Sequence, residues 1–389
     1  MSWKEKMGWV LLWVILCEGA TLGVELAHRT ATLSKGRASM AATSVGGVAL
    51  FAGGFCDWQR ETDLVYYPSS SSLVDIYDVG TGQWSTAALS EARGFIAATA
   101  VGSEALFAGG TRRLESAWQS VGVVDIYNSK TNQWRTAALS HPRLGVAATT
   151  VGSKALFAGG SDDGIASAAV DIYDSETGQW STATLSEARG NLTGVTVGNL
   201  AIFAGGSSDG TLSDVVDIYD SETGYWSTAR LSEERQLLAA TSGGTMALFA
   251  GGTTGGNYQA SDVVDIYDSQ TGLWSRGALA APRLALAATT VDGLALFGGG
   301  FLAGGTGVSD LVDVYNSGDG TWSTTTLSVA RYGAAATTVG EMAFFAGGGS
   351  MDGFPIEKDV VDIFQIPEPC SLVFLSLGGW ALLSRSRRG

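Results

Sequence analysis

Few side chains in this 389-residue chain are equipped for chemistry. There are two histidines, His28 and His141, and three cysteines, Cys17, Cys56 and Cys370. With only two histidines a histidine-rich metal site is excluded. Gly206-Ser207-Ser208-Asp209-Gly210 has the Gly-x-Ser-x-Gly spacing of a nucleophile elbow. An elbow needs a helix immediately after the serine to expose it, and no helical period follows here, so the match reads as chance. Asp162-Asp163-Gly164 and Asp209-Gly210 offer carboxylates to Ca²⁺, but without the alternating oxygen ligands of a dedicated loop they read as turns. Asn191-Leu192-Thr193 is an N-glycosylation sequon, meaningful only in a eukaryotic secretory route. No catalytic residue, metal ligand or cofactor is assigned.

Arginine and aspartate are distributed quite differently. Arg37, Arg93, Arg143, Arg189, Arg235, Arg283 and Arg331 are each followed after sixteen residues by a glycine pair, beginning at Gly53, Gly109, Gly159, Gly205, Gly251, Gly299 and Gly347. A Val-Asp dipeptide comes next, with Asp75, Asp125, Asp171, Asp217, Asp265, Asp313 and Asp362. Nine residues beyond each of the first six stands Trp84, Trp134, Trp180, Trp226, Trp274 or Trp322, and nine more lead to the next arginine. Only the step from glycine pair to aspartate varies, between 12 and 22 residues. A ring of arginines is able to bind an acidic glycan at a channel mouth. The expected role is instead to tie neighbouring units through a carboxylate or carbonyl, which suits the fork of donors on a guanidinium. An aspartate repeated in every unit is likewise expected to serve the unit.

The elements that position these residues are strands. Ala-Ala-Thr segments such as Ala97–Val101 supply small side chains suited to a crowded ring centre. Gly102-Ser103 and its equivalents then close a hairpin to an apolar run such as Ala105–Ala108, expected to be buried on both faces. Val124–Tyr127 has the β-branched and aromatic composition of a third strand, and a Thr-Gly type turn leads to a fourth that carries the tryptophan. Seven such units, each unable to bury its own face, stack as the blades of an all-β seven-bladed propeller.

The glycine pair, the Val-Asp-Ile-Tyr strand and the tryptophan at fixed offset resemble the kelch repeat, and the resemblance spans residues 24–364. The last unit departs from it, stopping at Phe364 without a fourth strand or tryptophan. Residues 26–33 are expected to supply that strand and close the ring, because His28 lies nine residues before Arg37, in a tryptophan position. There it is expected to be packed and hydrogen-bonded. The resemblance extends to galactose oxidase-like propellers, whose copper needs two His and two Tyr with a Tyr–Cys link. His28 and His141 do not complete that set, which leaves at most a relative that has lost its copper site.

In a four-stranded meander alternate turns lie on opposite faces. The invariant turns share one face, and the variable second-to-third connections share the other with the links between blades, so recognition is expected on the latter. Kelch propellers commonly bind through that face, as the resemblance implies. Blade 1 has the longest connection, Phe55–Ser72, with Trp58, Arg60, Tyr66 and Tyr67. Blade 2 offers Arg112, Arg113 and Trp118, and blades 5, 6 and 7 offer Tyr258, Phe301 and Phe354. Flat aromatic faces beside arginines suit a saccharide ring or a protein hot spot.

Glycine supplies 54 residues and proline 6, which excludes collagen-like chains and fits many tight turns. The net charge of −15 argues against nucleic acid or anionic membrane as the partner. Residues 1–23 read as a secretory signal, with Lys4 and Lys6 before the apolar run Gly8–Cys17, too short to span a bilayer. Pro367-Glu368-Pro369, the apolar stretch Leu372–Leu383 and a basic end resemble the PEP-CTERM sorting tail, which an exosortase cuts. Membrane contact through 372–383 is then transient. Loss of both ends, 1–23 and 370–389, brings the net charge to about −18 and leaves Cys56 as the one cysteine, so no internal disulfide forms. The expected organisation is a signal peptide (1–23), a propeller (24–366) and a sorting tail (367–389). The expected function is a secreted or surface-attached, non-catalytic binding module for exopolysaccharide or another surface protein. The alternative is a metal-independent carbohydrate-active enzyme using acidic loop residues.

Overall fold

The computed structural model describes residues 26–62, 65–114, 117–255, 259–305, 307–350 and 356–366, with the side chains of 58–66 outside that description. Residues 28–364 form one compact unit. Among the described residues there is no α-helix, and no helix long and apolar enough to cross a membrane.

The four-stranded unit recurs seven times. In blade 2 an inner strand Ala97–Val101, a second strand Glu104–Ala108, a third Val123–Asn128 and an outer strand Gln133–Ala138 pair antiparallel in that order. Inner strands of neighbouring blades touch all the way round, the first against the seventh included. Their small side chains permit that approach, and hydroxyl pairs span the junctions, as between Thr99 and Thr150 (2.8 Å) and between Thr289 and Thr338 (2.8 Å). The second strands are buried on both faces as their composition predicts. Each apolar cluster is shared between two blades. Phe107, Tyr127 and Trp134 of blade 2, for example, pack against Leu50, Val74 and Leu89 of blade 1. The hydrophobic gain therefore belongs to the junction between blades, which is why the units stack into a ring.

The glycine pairs have a steric cause. Both members have positive φ in every blade, as in Gly109 (65°) and Gly110 (102°). A Cβ on the first would stand 2.4–2.6 Å from the carbonyl oxygen of the arginine entering the next blade. Only glycine lets the two backbones meet this closely.

The ring closes as the spacing of His28 predicts. Ala27–Thr32 pairs with Val360–Gln365, so blade 7 takes its outer strand from the N-terminal end of the described chain. His28 Nε2 lies 2.7 Å from Asp362 Oδ1, and its ring stacks on Phe364 at 4.5 Å.

At the turns between third and outer strands an acidic side chain caps the backbone. Asp174, Asp220 and Asp268 each accept a backbone N–H two residues on, at 2.9 Å, and this bond first of all holds them below the ordinary carboxylate value. Asp319 is lowered by Thr321, its hydroxyl above all. A depressed carboxylate favours the folded state above its unfolded value of 3.8, and that contribution fades as the pH falls through the lower folded value. Asp313, raised by burial, contributes the opposite sign but stands alone against the four. The melting temperature is accordingly expected to hold between pH 7 and pH 5 and to fall below about pH 4. Thermal melts at pH 5 and pH 3 check this; equal stability at both would refute it.

Candidate functional site

The seven repeated arginines are not at a channel mouth. Every one is fully buried, at 0% exposure, and paired with its blade's aspartate. Arg93 shows how. Its backbone belongs to blade 1, donating to Ser71 O (3.0 Å) and accepting from Gly54 N (2.9 Å). Its guanidinium belongs to blade 2, donating to Gly109 O (2.9 Å) and Phe107 O (3.0 Å) and pairing with Asp125 at 2.8 Å. Asp125 in turn accepts the Ser90 N–H from the end of blade 1 (2.9 Å). Burial pushes the Arg93 guanidinium below its ordinary value, and the Asp125 charge acts to restore it. The arginines tie neighbouring blades, and their depth removes them as glycan ligands.

The mouth is made by the residues just beyond them. Two positions after each arginine stand Ser39, Phe95, Gly145, Asn191, Leu237, Ala285 and Gly333, all with φ between 51° and 63°. Their peptides join at every junction around the opening except that between Phe95 and Gly145: Phe95 N donates to Ser39 O (3.1 Å), Asn191 N to Gly145 O (3.1 Å), Leu237 N to Asn191 O (3.2 Å), Ala285 N to Leu237 O (3.1 Å), Gly333 N to Ala285 O (3.1 Å) and Ser39 N to Gly333 O (3.1 Å). The side chains above this belt, with those of the following residue in each blade, enclose a cup of about 620 Å³. Leu192, Leu238, Leu284 and Leu286 form an aliphatic arc; Phe95, Phe301 and Tyr332 supply the aromatic part. None of its lining residues is charged.

The variable connections rise beside the cup, and each is bridged at its base to the link entering its blade, as Ala38 is to Phe55 and Gly190 to Ser207. Most are hairpins rather than irregular loops. Blades 3 and 4 carry two-residue strands around Asp163-Gly164 and Asp209-Gly210, whose positive φ values make type I′ turns. Those aspartates serve turn geometry, and among the described residues no group of three or more His, Cys, Asp or Glu is placed to hold a metal.

The blade 1 connection is the hairpin Phe55–Thr62 and Val65–Ser70, in which the backbones of Arg60 and Tyr66 pair opposite each other. The side chains of Trp58, Arg60 and Tyr66 lie outside the described structure, as do Tyr258 and Phe354 altogether. Tyr67 meets blade 2: the Arg113 guanidinium lies 3.2 Å from its ring centroid, a cation–π contact. Arg112 is held by Glu91 and by Gln119 Oε1 (3.0 Å), so it braces its own hairpin. Trp118 remains 42% exposed, with its ring edge-on to Phe55 at 5.3 Å, and Phe55 touches Phe95 at the same spacing. Phe301 stacks on Tyr332 at 3.9 Å within the cup. Thus Trp118, Tyr67 and Arg113 gather beside the mouth, and Phe301 lines it. The sequence reading missed Phe55, Phe95 and Leu237; two glycines and an asparagine among their equivalents were the available hint of left-handed backbone.

Seven four-stranded blades, the buried arginine–aspartate junctions and the strand exchange at the ring closure define a seven-bladed β-propeller of kelch-type blades. A kelch motif is recognised over residues 142–184, the stretch that holds Arg143, the glycine pair at 159, Asp171 and Trp180. The solved structure of YjhT is similar over 76% of this chain and 99% of its own, with a TM-score of 0.60 at 17% identity, a likeness of fold. No curated protein matches.

Proposed function

We propose that this propeller is a secreted or surface-attached, non-catalytic binding module that engages a glycan or surface protein through its variable-connection face. The carrying observation is that most of the exposed large apolar and aromatic side chains lie on that face. Of the eight large hydrophobic residues exposed among the described ones, Phe95, Leu114, Trp118, Ile165, Leu237 and Val329 lie there, against Tyr225 and Leu273 on the opposite face. Concentrated apolar exposure marks recognition surfaces. The non-catalytic reading draws support from four carboxylates of the face that are already engaged: Glu91 holds Arg112, Glu187 holds Ser213, Glu233 holds Ser261 and Asp57 holds Lys35. Secretion, sorting by an exosortase-type enzyme and transient membrane contact through 372–383 belong to the same proposal and rest on the terminal sequences.

A glycan array probed with the purified chain, followed by titration of the best ligand and of a surface-protein extract, tests it. Trp118→Ala is expected to weaken saturable binding at least about tenfold, the scale of an aromatic hot spot, with melting temperature little changed. Absence of any saturable partner, or full binding by Trp118→Ala and Tyr67→Ala together, would count against this face.

A further inference from the structure

We propose that the cup at the mouth binds a neutral, ring-bearing small molecule, held between Phe95 and Leu237; this rests on the variable face being the binding face. Phe95 and Leu237 come from blades 2 and 5, nearly opposite each other in a ring of seven. Their φ values are 51° and 55°, a conformation that bulky L-residues rarely adopt. Gly333 occupies the equivalent position and makes both of its belt hydrogen bonds, so the belt accepts glycine there. The large side chains are nonetheless present and poorly buried, at 51% and 38% exposure. Phe95 keeps an edge contact to Phe55 at 5.3 Å but half of it stays open, and strained residues of this kind cluster at ligand clamps.

The character of the ligand follows from the lining. No charged residue faces the cup, although the chain carries 61 of them, so a charged ligand would be desolvated without compensation. The belt peptides pair with one another at six of the seven junctions, which leaves no run of open strand edge to which a peptide could add. Ser39 and Asn191 are the polar side chains of the belt itself, enough to orient a ligand with one or two hydrogen-bonding groups. A volume of about 620 Å³ falls within the range of small-molecule sites.

N-phenyl-1-naphthylamine, a neutral aromatic probe that brightens in apolar surroundings, is titrated into the full chain. One saturable site is expected. Phe95→Gly and Leu237→Gly should each weaken it at least tenfold while leaving the melting temperature equal or higher, because glycine relieves the left-handed backbone. Asn191→Asp, which keeps that backbone and puts a charge in the cup, should weaken it similarly. No saturable binding, or equal binding by both glycine variants, overturns the proposal. Retained binding of a glycan or protein partner alongside that result would leave the module reading standing and remove the cup alone. A partner protein that competes with the probe and is lost in the same variants would identify the occupant as a side chain of that protein, and would also overturn it.

Discussion

Arg93→Ala is expected to cost the propeller about 3–5 kcal/mol of unfolding free energy, the scale for removing one member of a buried ion pair. The substitution strands the Asp125 carboxylate in a blade junction, where its side chain is 4% exposed. It also removes the buried donors to Gly109 O and Phe107 O. The loss is therefore the uncompensated charge and carbonyls, more than the attraction itself. Two companions separate these causes. Asp125→Asn should cost less, because a neutral amide still accepts the Ser90 N–H. The double variant Arg93→Met with Asp125→Leu should recover part of the loss, since neither charge is then buried alone. Urea titrations followed by tryptophan fluorescence measure all three. Because the pair is buried, the cost should be nearly the same in 0.05 M and 0.5 M NaCl, unlike that of a surface pair. A cost below about 1 kcal/mol, the ceiling for exposed pairs, would mean that the junctions are held by apolar packing alone.

The same arginines mark how far the sequence could be read. Their constant offsets from the glycine pairs and aspartates revealed the blade, because a blade is a local object whose contacts recur at constant register. The offset of His28 from Arg37 likewise revealed the closing strand. Whether an arginine faces a channel or a junction depends on depth, which spacing does not encode; the structure decided it by burying all seven. The mouth was less legible for a different reason. Its defining property is a left-handed φ, shared by Ser39, Phe95, Gly145, Asn191, Leu237, Ala285 and Gly333, which have no common side-chain chemistry. Residue type reports a backbone conformation only where glycine or asparagine is used, and a phenylalanine there gives no sign of it. Of the aromatic connections, Trp118 and Phe301 were found from composition. Their partners Phe55 and Tyr332 were not, because each contact crosses from one blade's connection to a neighbouring blade and is long-range.

Removal of residues 1–33 is expected to abolish cooperative folding of the monomer. Ala27–Thr32 has mostly exposed side chains, so its contribution lies in pairing and in the groups it anchors. It covers the backbone of Val360–Gln365, and just past it Leu33, itself buried, donates to Asp359 O at 2.7 Å. Arg29 reaches across to Tyr77 OH of blade 1 at 3.3 Å, and Ser34 N donates to Asp75 at 2.9 Å. The strand thus holds blade 7 and touches blade 1, the one junction that chain connectivity does not otherwise secure. Without it Val360–Gln365 becomes an open edge, ready to pair with another chain. The core shared by Leu33, Phe51, Tyr77, Phe344 and Ile363 is also exposed. Gel filtration should show soluble aggregates or strand-swapped oligomers instead of a monomer, and a peptide of residues 24–34 supplied in excess should restore monomer and cooperative melting. His28→Ala gives the graded version. Losing the bond to Asp362, whose charge is favoured by Arg331 and the Ser328 amide despite burial, should cost about 1.5–3 kcal/mol, as for other hydrogen bonds to charged groups. A truncated chain that remains monomeric and melts where the whole chain does would show that the ring is closed by the other six junctions and needs no clasp.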